Sequence, residues 1–179
     1  STVAPETTTT TTAVPAPAVA LPGQLVTSGS LSFDIRFPET PSSSCAKSVD
    51  LAGGQVNTAF GQGGRVGGVY GLVPSGTGSV GVYMVGLGAV PAGVGIVSVS
   101  DGTCEFDAVG IGAYSASAGS ARLSGVGAGM HPGRYDTGEY VSRFAVEAQI
   151  GSTTSPATLD MASVREFLLR NRPGLVLPG

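Results

Sequence analysis

Ser79-Val80-Gly81-Val82-Tyr83-Met84-Val85 is the stretch whose reading decides the fold. Val80, Val82 and Met84 alternate with Gly81, Tyr83 and Val85, so the two-residue period of a strand puts apolar or very small side chains on both of its faces. Val109-Gly110-Ile111-Gly112-Ala113 repeats this texture with one face lined by Gly. Between Val66 and Ala121 there is no Lys, Arg or His, and the only charges are Asp101, Glu105 and Asp107. A one-layer antiparallel sheet with one wet face normally carries polar or charged residues at alternate positions. Here those positions hold Gly, Ala, Ser and Val, so both faces are expected to be covered. The cover is expected to be a second sheet with neighbouring subunits, a lipid layer around a barrel, or sugars on Ser and Thr. Left bare, such a sheet invites edge pairing and aggregation. The plainer account of the same pattern is a well-buried core beneath a surface of small residues.

Outward from this centre the period of two continues from Leu25 to Ile150. Phe33, Ile35 and Phe37 share one face of a strand with Ser32, Asp34 and Arg36 opposite, and Tyr140 to Ile150 alternates in the same way. Further strands are predicted near 48–52, 68–73, 79–85, 94–100, 104–113 and 120–126. Turn formers such as Pro74-Ser75-Gly76, Pro91-Ala92-Gly93 and Asp101-Gly102 separate them. Short strands with a turn every eight to twelve residues predict an all-β fold, an antiparallel β-sandwich of jelly-roll or Ig-like type. The domain is expected to span 25–179. It ends in one α-helix at about 158–171, with Leu159, Val164, Phe167 and Leu168 near one face and Thr158 or Asp160 as cap. Pro173-Gly174 stops that helix, and the tail at 173–179, with Leu175-Val176-Leu177, is apolar enough to dock on this fold or on another copy.

The first 24 residues differ in kind. Six Thr run from Thr7 to Thr12, and Pro5, Pro15, Pro17 and Pro22 favour an extended chain, so 1–24 reads as an arm or stalk. Thr7–Thr12 beside Pro and Ala suits O-linked glycans. As an assembly arm it would add a strand to a neighbour's sheet through Val19, Leu21, Leu25 and Val26. The chain opens on Ser1 with no basic-plus-apolar leader before it, the form of a processed secretory chain. The two cysteines, Cys45 and Cys104, are too far apart for a zinc or thioredoxin-like spacing and are expected to form one disulfide. That bond places the chain outside the cell or on a cell or particle surface.

Composition excludes several classes. Charged residues are 12% of the 179, about half the usual ~25%. The 29 Gly are about twice the usual share, which excludes a coiled coil or helical bundle. The net charge of -3 argues against nucleic acid as a partner, since phosphate binding needs a field of Lys and Arg. No apolar run reaches the 18 residues of a membrane-spanning helix. For catalysis, His131 is the only histidine and lies in Met130-His131-Pro132-Gly133, a turn, with Asp136 or Glu139 as the carboxylates to orient it. Gly61-Gln62-Gly63-Gly64-Arg65 lacks the Lys-Ser/Thr ending of a phosphate loop. Asp101, Glu105 and Asp107 could meet around a cation but read as a solvated turn, and a carboxylate pair such as Asp34 with Glu147 is a poor prospect for glycoside hydrolysis in a chain with no Trp and only five Tyr for sugar stacking.

No catalytic residue, metal site or cofactor is therefore expected. The leading expectation is a non-enzymatic structural subunit that packs against copies of itself in a pilus, sheath, surface layer or coat. In texture alone the Gly-rich strands resemble the secreted Gly-rich porins of mycolate-bearing bacteria. That resemblance implies an oligomeric envelope barrel and so membrane contact, although aromatic girdles are missing. The third expectation is a secreted binding module that meets its partner through a loop with His131, Arg134 and Tyr135.

Overall fold

The computed structural model describes residues 20–37, 44–57, 68–87, 90–117, 119–130, 139–160 and 166–170. Nine strands follow one another among them. They are β1 (Ala20–Arg36), β2 (Cys45–Asp50), β3 (Gln55–Asn57), β4 (Gly68–Ser75), β5 (Gly78–Gly86), β6 (Ala92–Ser100), β7 (Glu105–Ser117), β8 (Ser120–Met130) and β9 (Glu139–Asp160). All lie in one antiparallel sheet, and β9 returns to pair with β1. The all-β expectation holds, but the two-sheet sandwich gives way to a single sheet rolled into a nearly closed barrel. Alternation and turn spacing are the same in both architectures; the long-range pairing of β1 with β9 separates them.

Closure comes from local irregularities. β2 and β3 lie on the same side of β1 in a common register, Ser30 opposite Asp50 and Leu25 opposite Gln55, so together they act as one interrupted strand. The break is a turn at 51–54 in which Gly53 takes φ 91°, a conformation that costs Gly little. It stays tied to β1, as Val26 N donates to Gly54 O (2.7 Å) and Gly53 N to Val26 O (2.9 Å). On the other side of β1 the register with β9 shifts three times. At one shift Ser155 and Pro156 face the single residue Gln24, a bulge where the missing N–H of Pro breaks no ladder bond. Such bulges increase twist and help a sheet to curl.

The interior is filled by side chains. Leu31, Phe33 and Ile35 of β1 meet Val80, Val82 and Met84 of β5, Val97 and Val99 of β6, Phe106 of β7, Leu123 of β8 and Phe144 and Val146 of β9. Phe106 takes Phe33 and Phe37 edge-on, with ring centres 6.2 and 5.6 Å away. Inward-facing Gly residues make room for these rings: a Cβ on Gly110 would run into Phe144. That is the structural use of the Gly-lined face of Val109–Ala113.

Both chain ends depart from the sequence expectation. Leu21 and Leu25 pair with Leu159 and Thr154 of their own chain, and Val26, 1% exposed, belongs to its own core. The strand therefore starts at Ala20, not after residue 24. At Gly23–Leu25 both its edges are filled, by β3 and β9, leaving no edge for a neighbour's sheet. Val19, Thr7–Thr12 and the tail at 173–179 lie outside the described residues. The helix expected at 158–171 does not begin at its predicted cap, since Thr158, Leu159 and Asp160 continue β9 opposite Pro22, Leu21 and Ala20; among the described residues helix is seen at 166–168, and 161–165 with Val164 lie outside them. The β-branched run through Thr153 and Thr154 favours strand, and the pairing with β1 carries it on past the predicted cap.

Candidate functional site

Three regions carry the side chains that the sequence reading singled out. The first is the barrel end formed by the β4–β5 and β6–β7 turns. Here Cys45 and Cys104 form the expected disulfide, with Cα atoms 6.3 Å apart, closing a loop worth roughly 2–4 kcal/mol. Beside it Asp101, 1% exposed, collects five donors. Lys47 Nζ and Ser75 Oγ (3.0 Å) reach one carboxylate oxygen. Thr103 N (2.9 Å), Thr103 Oγ1 (2.7 Å) and Cys104 N (2.9 Å) reach the other. Burial alone would raise the Asp101 pKa, but Lys47 and the bonds from Cys104 and Thr103 outweigh it and hold the carboxyl well below the ordinary 3.8. Among the described residues β2 pairs only with β1, so the disulfide and the Lys47–Asp101 pair fasten its other side to the β6–β7 turn. Asp101 is therefore spent on structure. No group of three or more His, Cys, Asp or Glu suited to a metal ion occurs among the described residues, and the weighed cation site at Asp101, Glu105 and Asp107 is not assembled.

The second region is the outer surface of β1, β8 and β9, where the charges gather. Asp34 pairs with Arg36 (2.6 Å) and Arg143 (3.4 Å), and Glu147 with Arg122 (2.7 Å). A shallow groove of about 260 Å³ lies here, floored by Leu123, Ser124, Ala145 and Val146 and flanked by Arg122, Arg143 and Glu147. Asp34 and Glu147 lie on this one outer surface, each engaged by arginine, rather than on the facing walls of a cleft.

The third region is the outer face of β4–β8, within the stretch that lacks basic residues. Tyr70, Leu72, Tyr83, Val85, Val94, Ile96 and Val109 form a second apolar cluster outside the barrel. The rings of Tyr70 and Tyr83 meet edge-on at 5.2 Å. Its cover comes from the C-terminal segment at 166–170, whose Leu168 is fully buried. Gly81 is the seat: a Cβ there would lie 2.6 Å from Phe167 Cδ1 and 2.9 Å from Leu168 Cδ2. Arg170 latches the segment. Its guanidinium stacks 4.2 Å from the centre of the Phe167 ring, donates to Phe167 O (2.9 Å) and pairs with Asp107 (3.1 Å), a carboxylate with no exposed surface. Glu105 lies 4.0 Å from the same cation. Ser98, directly opposite Asp107 in the ladder, is fully buried, and its hydroxyl has no hydrogen-bond partner among the described residues.

The cover stops short. Val85, Val94, Ile111 and Val126 stand opposite one another across four strands, and Ile111 and Val126 at the far end of this row are 54% and 59% exposed. Leu87 (48%) and Val90 (55%) in the β5–β6 connection add to the bare apolar surface. Sequence reasoning found the uncharged face but missed its lid and latch. The signal for Arg170 was its place after Phe167-Leu168-Leu169, which suggested a helix end instead. The chain's single lysine, Lys47, was likewise available as a clue beside Cys45. His131, Arg134 and Tyr135 lie outside the described residues. In comparisons with known proteins, the chain matches no family model, no curated protein and no solved structure.

Proposed function

We propose that this chain is a non-enzymatic structural subunit of an extracellular or particle-surface assembly such as a pilus, sheath, surface layer or coat, and that it packs against copies of itself through the outer face of β5–β8. The observation that carries this reading is the bare row at Ile111 and Val126, joined to Leu87 and Val90 and without a charged side chain among them. Large apolar side chains gathered on one face mark a contact surface more often than not. Rolling the sheet into a barrel leaves few open edges, so association by face is favoured over association by added strand. The disulfide is compatible with an oxidising, extracellular setting.

The envelope-barrel reading is weaker. A barrel in lipid needs an apolar band all the way round, whereas Asp34, Arg36, Arg122, Arg143 and Glu147 face outward on β1, β8 and β9. The interior is moreover filled by Phe33, Phe106 and Phe144 rather than open.

Sedimentation of the full chain beside an Ile111→Lys, Val126→Lys variant tests the proposal. The unsubstituted chain is expected to sediment as an assembly and the variant as single chains, with unfolding midpoints that agree. Assembly that persists unchanged in the variant removes this face from the mechanism.

A further inference from the structure

We infer that the groove holding Glu166–Arg170 on the outer face of β4–β7 is an interaction surface, and that in the assembly its occupant is the same segment of a second copy. The inference rests on the self-association reading and names the contact that carries it.

The groove is built to read a short peptide. Gly81 leaves the depression, Tyr70, Tyr83 and Ile96 wall it, and Leu168 fills it. Two residues further on, buried Asp107 and nearby Glu105 take the guanidinium of Arg170. An apolar hole and a buried acid at that spacing select a Leu-x-Arg segment, and this chain supplies one.

Size argues that a second copy provides it. Ile111 and Val126 face each other across a single inter-strand spacing of about 4.8 Å, and with Leu87 and Val90 they offer on the order of 400 Å². A standard interface takes roughly 800 Å² from each partner. The bare face alone is thus about half of what a stable contact needs. The groove lies next to it on the same strands, since Val85, Val94 and Val109 pack against the covered cluster while Ile111 continues the same outer face of β7. Exchange of the segment between copies preserves all its contacts with the groove, presses the two bare rows together, and adds the missing area. Swapping of an identical terminal element is a low-cost route to oligomers for this reason. Only five residues, 161–165, join the segment to β9.

The test is one full-length chain carrying Gly81→Cys and Phe167→Cys together. The shortened side chain at 167 removes the closest contact of a Cβ at 81, the remaining one at 2.9 Å is with the flexible end of Leu168, and the native cysteines are already paired. After mild oxidation, non-reducing electrophoresis is expected to show covalent dimers and longer ladders that collapse on reduction. Light scattering of the unsubstituted chain is read alongside. Oligomeric scattering with only internally closed monomers, or with no cross-link at all, overturns segment exchange and leaves self-association standing. Single chains in both experiments overturn both.

Discussion

Asp101, in a turn at the barrel end, and Asp107, on the outer face of the sheet, are both buried carboxylates, yet they are held in different ways. Asp101 is bonded by five donors from its own turn and from β2 and β4, next to a disulfide. Asp107 takes a guanidinium that arrives on a short terminal segment. A buried charge fixed by its own barrel reads as structure. One fixed by a segment outside the sheet reads as a contact that another copy can make. The fold thus separates a stapled end from a face covered by a segment outside the sheet.

Replacing each acid in turn is the strongest way to break that comparison. Asp101→Ala strands Lys47 and four further donors and is expected to cost about 3–5 kcal/mol in denaturant unfolding, the range for breaking a buried ion pair. Asp107→Ala frees a cation that is already partly wet, and about 1 kcal/mol is expected. Equal losses would erase the distinction.

Acid titration sharpens it. The Asp101 pKa is depressed in the folded state, so the unfolded chain takes up a proton first, near 3.8, while the native carboxylate remains ionised. The stability contributed by Asp101 is therefore full above that pH and declines as pH falls further. In Asp101→Asn the slope of stability against pH below 4 is expected to flatten; an unchanged slope would mean that the acid sensitivity arises elsewhere. At the alkaline end, burial and then the neighbouring Tyr70 push the Tyr114 hydroxyl up to about 12. Its contribution is full below the ordinary value of 10 and lost as pH rises from there towards 12.

Arg170→Ala gives a smaller effect than Asp101→Ala. Loss of the latch is expected to lower stability by about 1–2 kcal/mol and to raise hydrogen exchange in β6 and β7 beneath the segment, while amides around Asp101 stay protected. Uniform exchange across the barrel would show that the segment does not act as a separate unit.

These contrasts were only partly legible in the sequence. Period-two alternation through Ser79–Val85 and Val109–Ala113 gave the strands, and the missing charges gave a face that needed cover. Whether the sheet closes depends on β1 meeting β9 more than a hundred residues away, with bulges at Ser155–Pro156 and β1, and local alternation is blind to both. The disulfide followed from there being two cysteines and no competing chemistry. The cover is not legible because Phe167-Leu168-Leu169 fits a helix packed on the core as well as one laid in an outer groove. The start of β1 is hidden for a related reason: Pro22 and Gly23 look like stalk, but at the rim of a barrel they are compatible with a strand end.

The most direct test of the account is the mass of the unsubstituted, unglycosylated 179-residue chain by static light scattering across a rising concentration series. The account predicts a particle mass well above the 17.6 kDa of one chain, increasing with concentration. A constant 17.6 kDa up to the solubility limit would contradict it, because Ile111, Val126, Leu87 and Val90 would then face water with no partner.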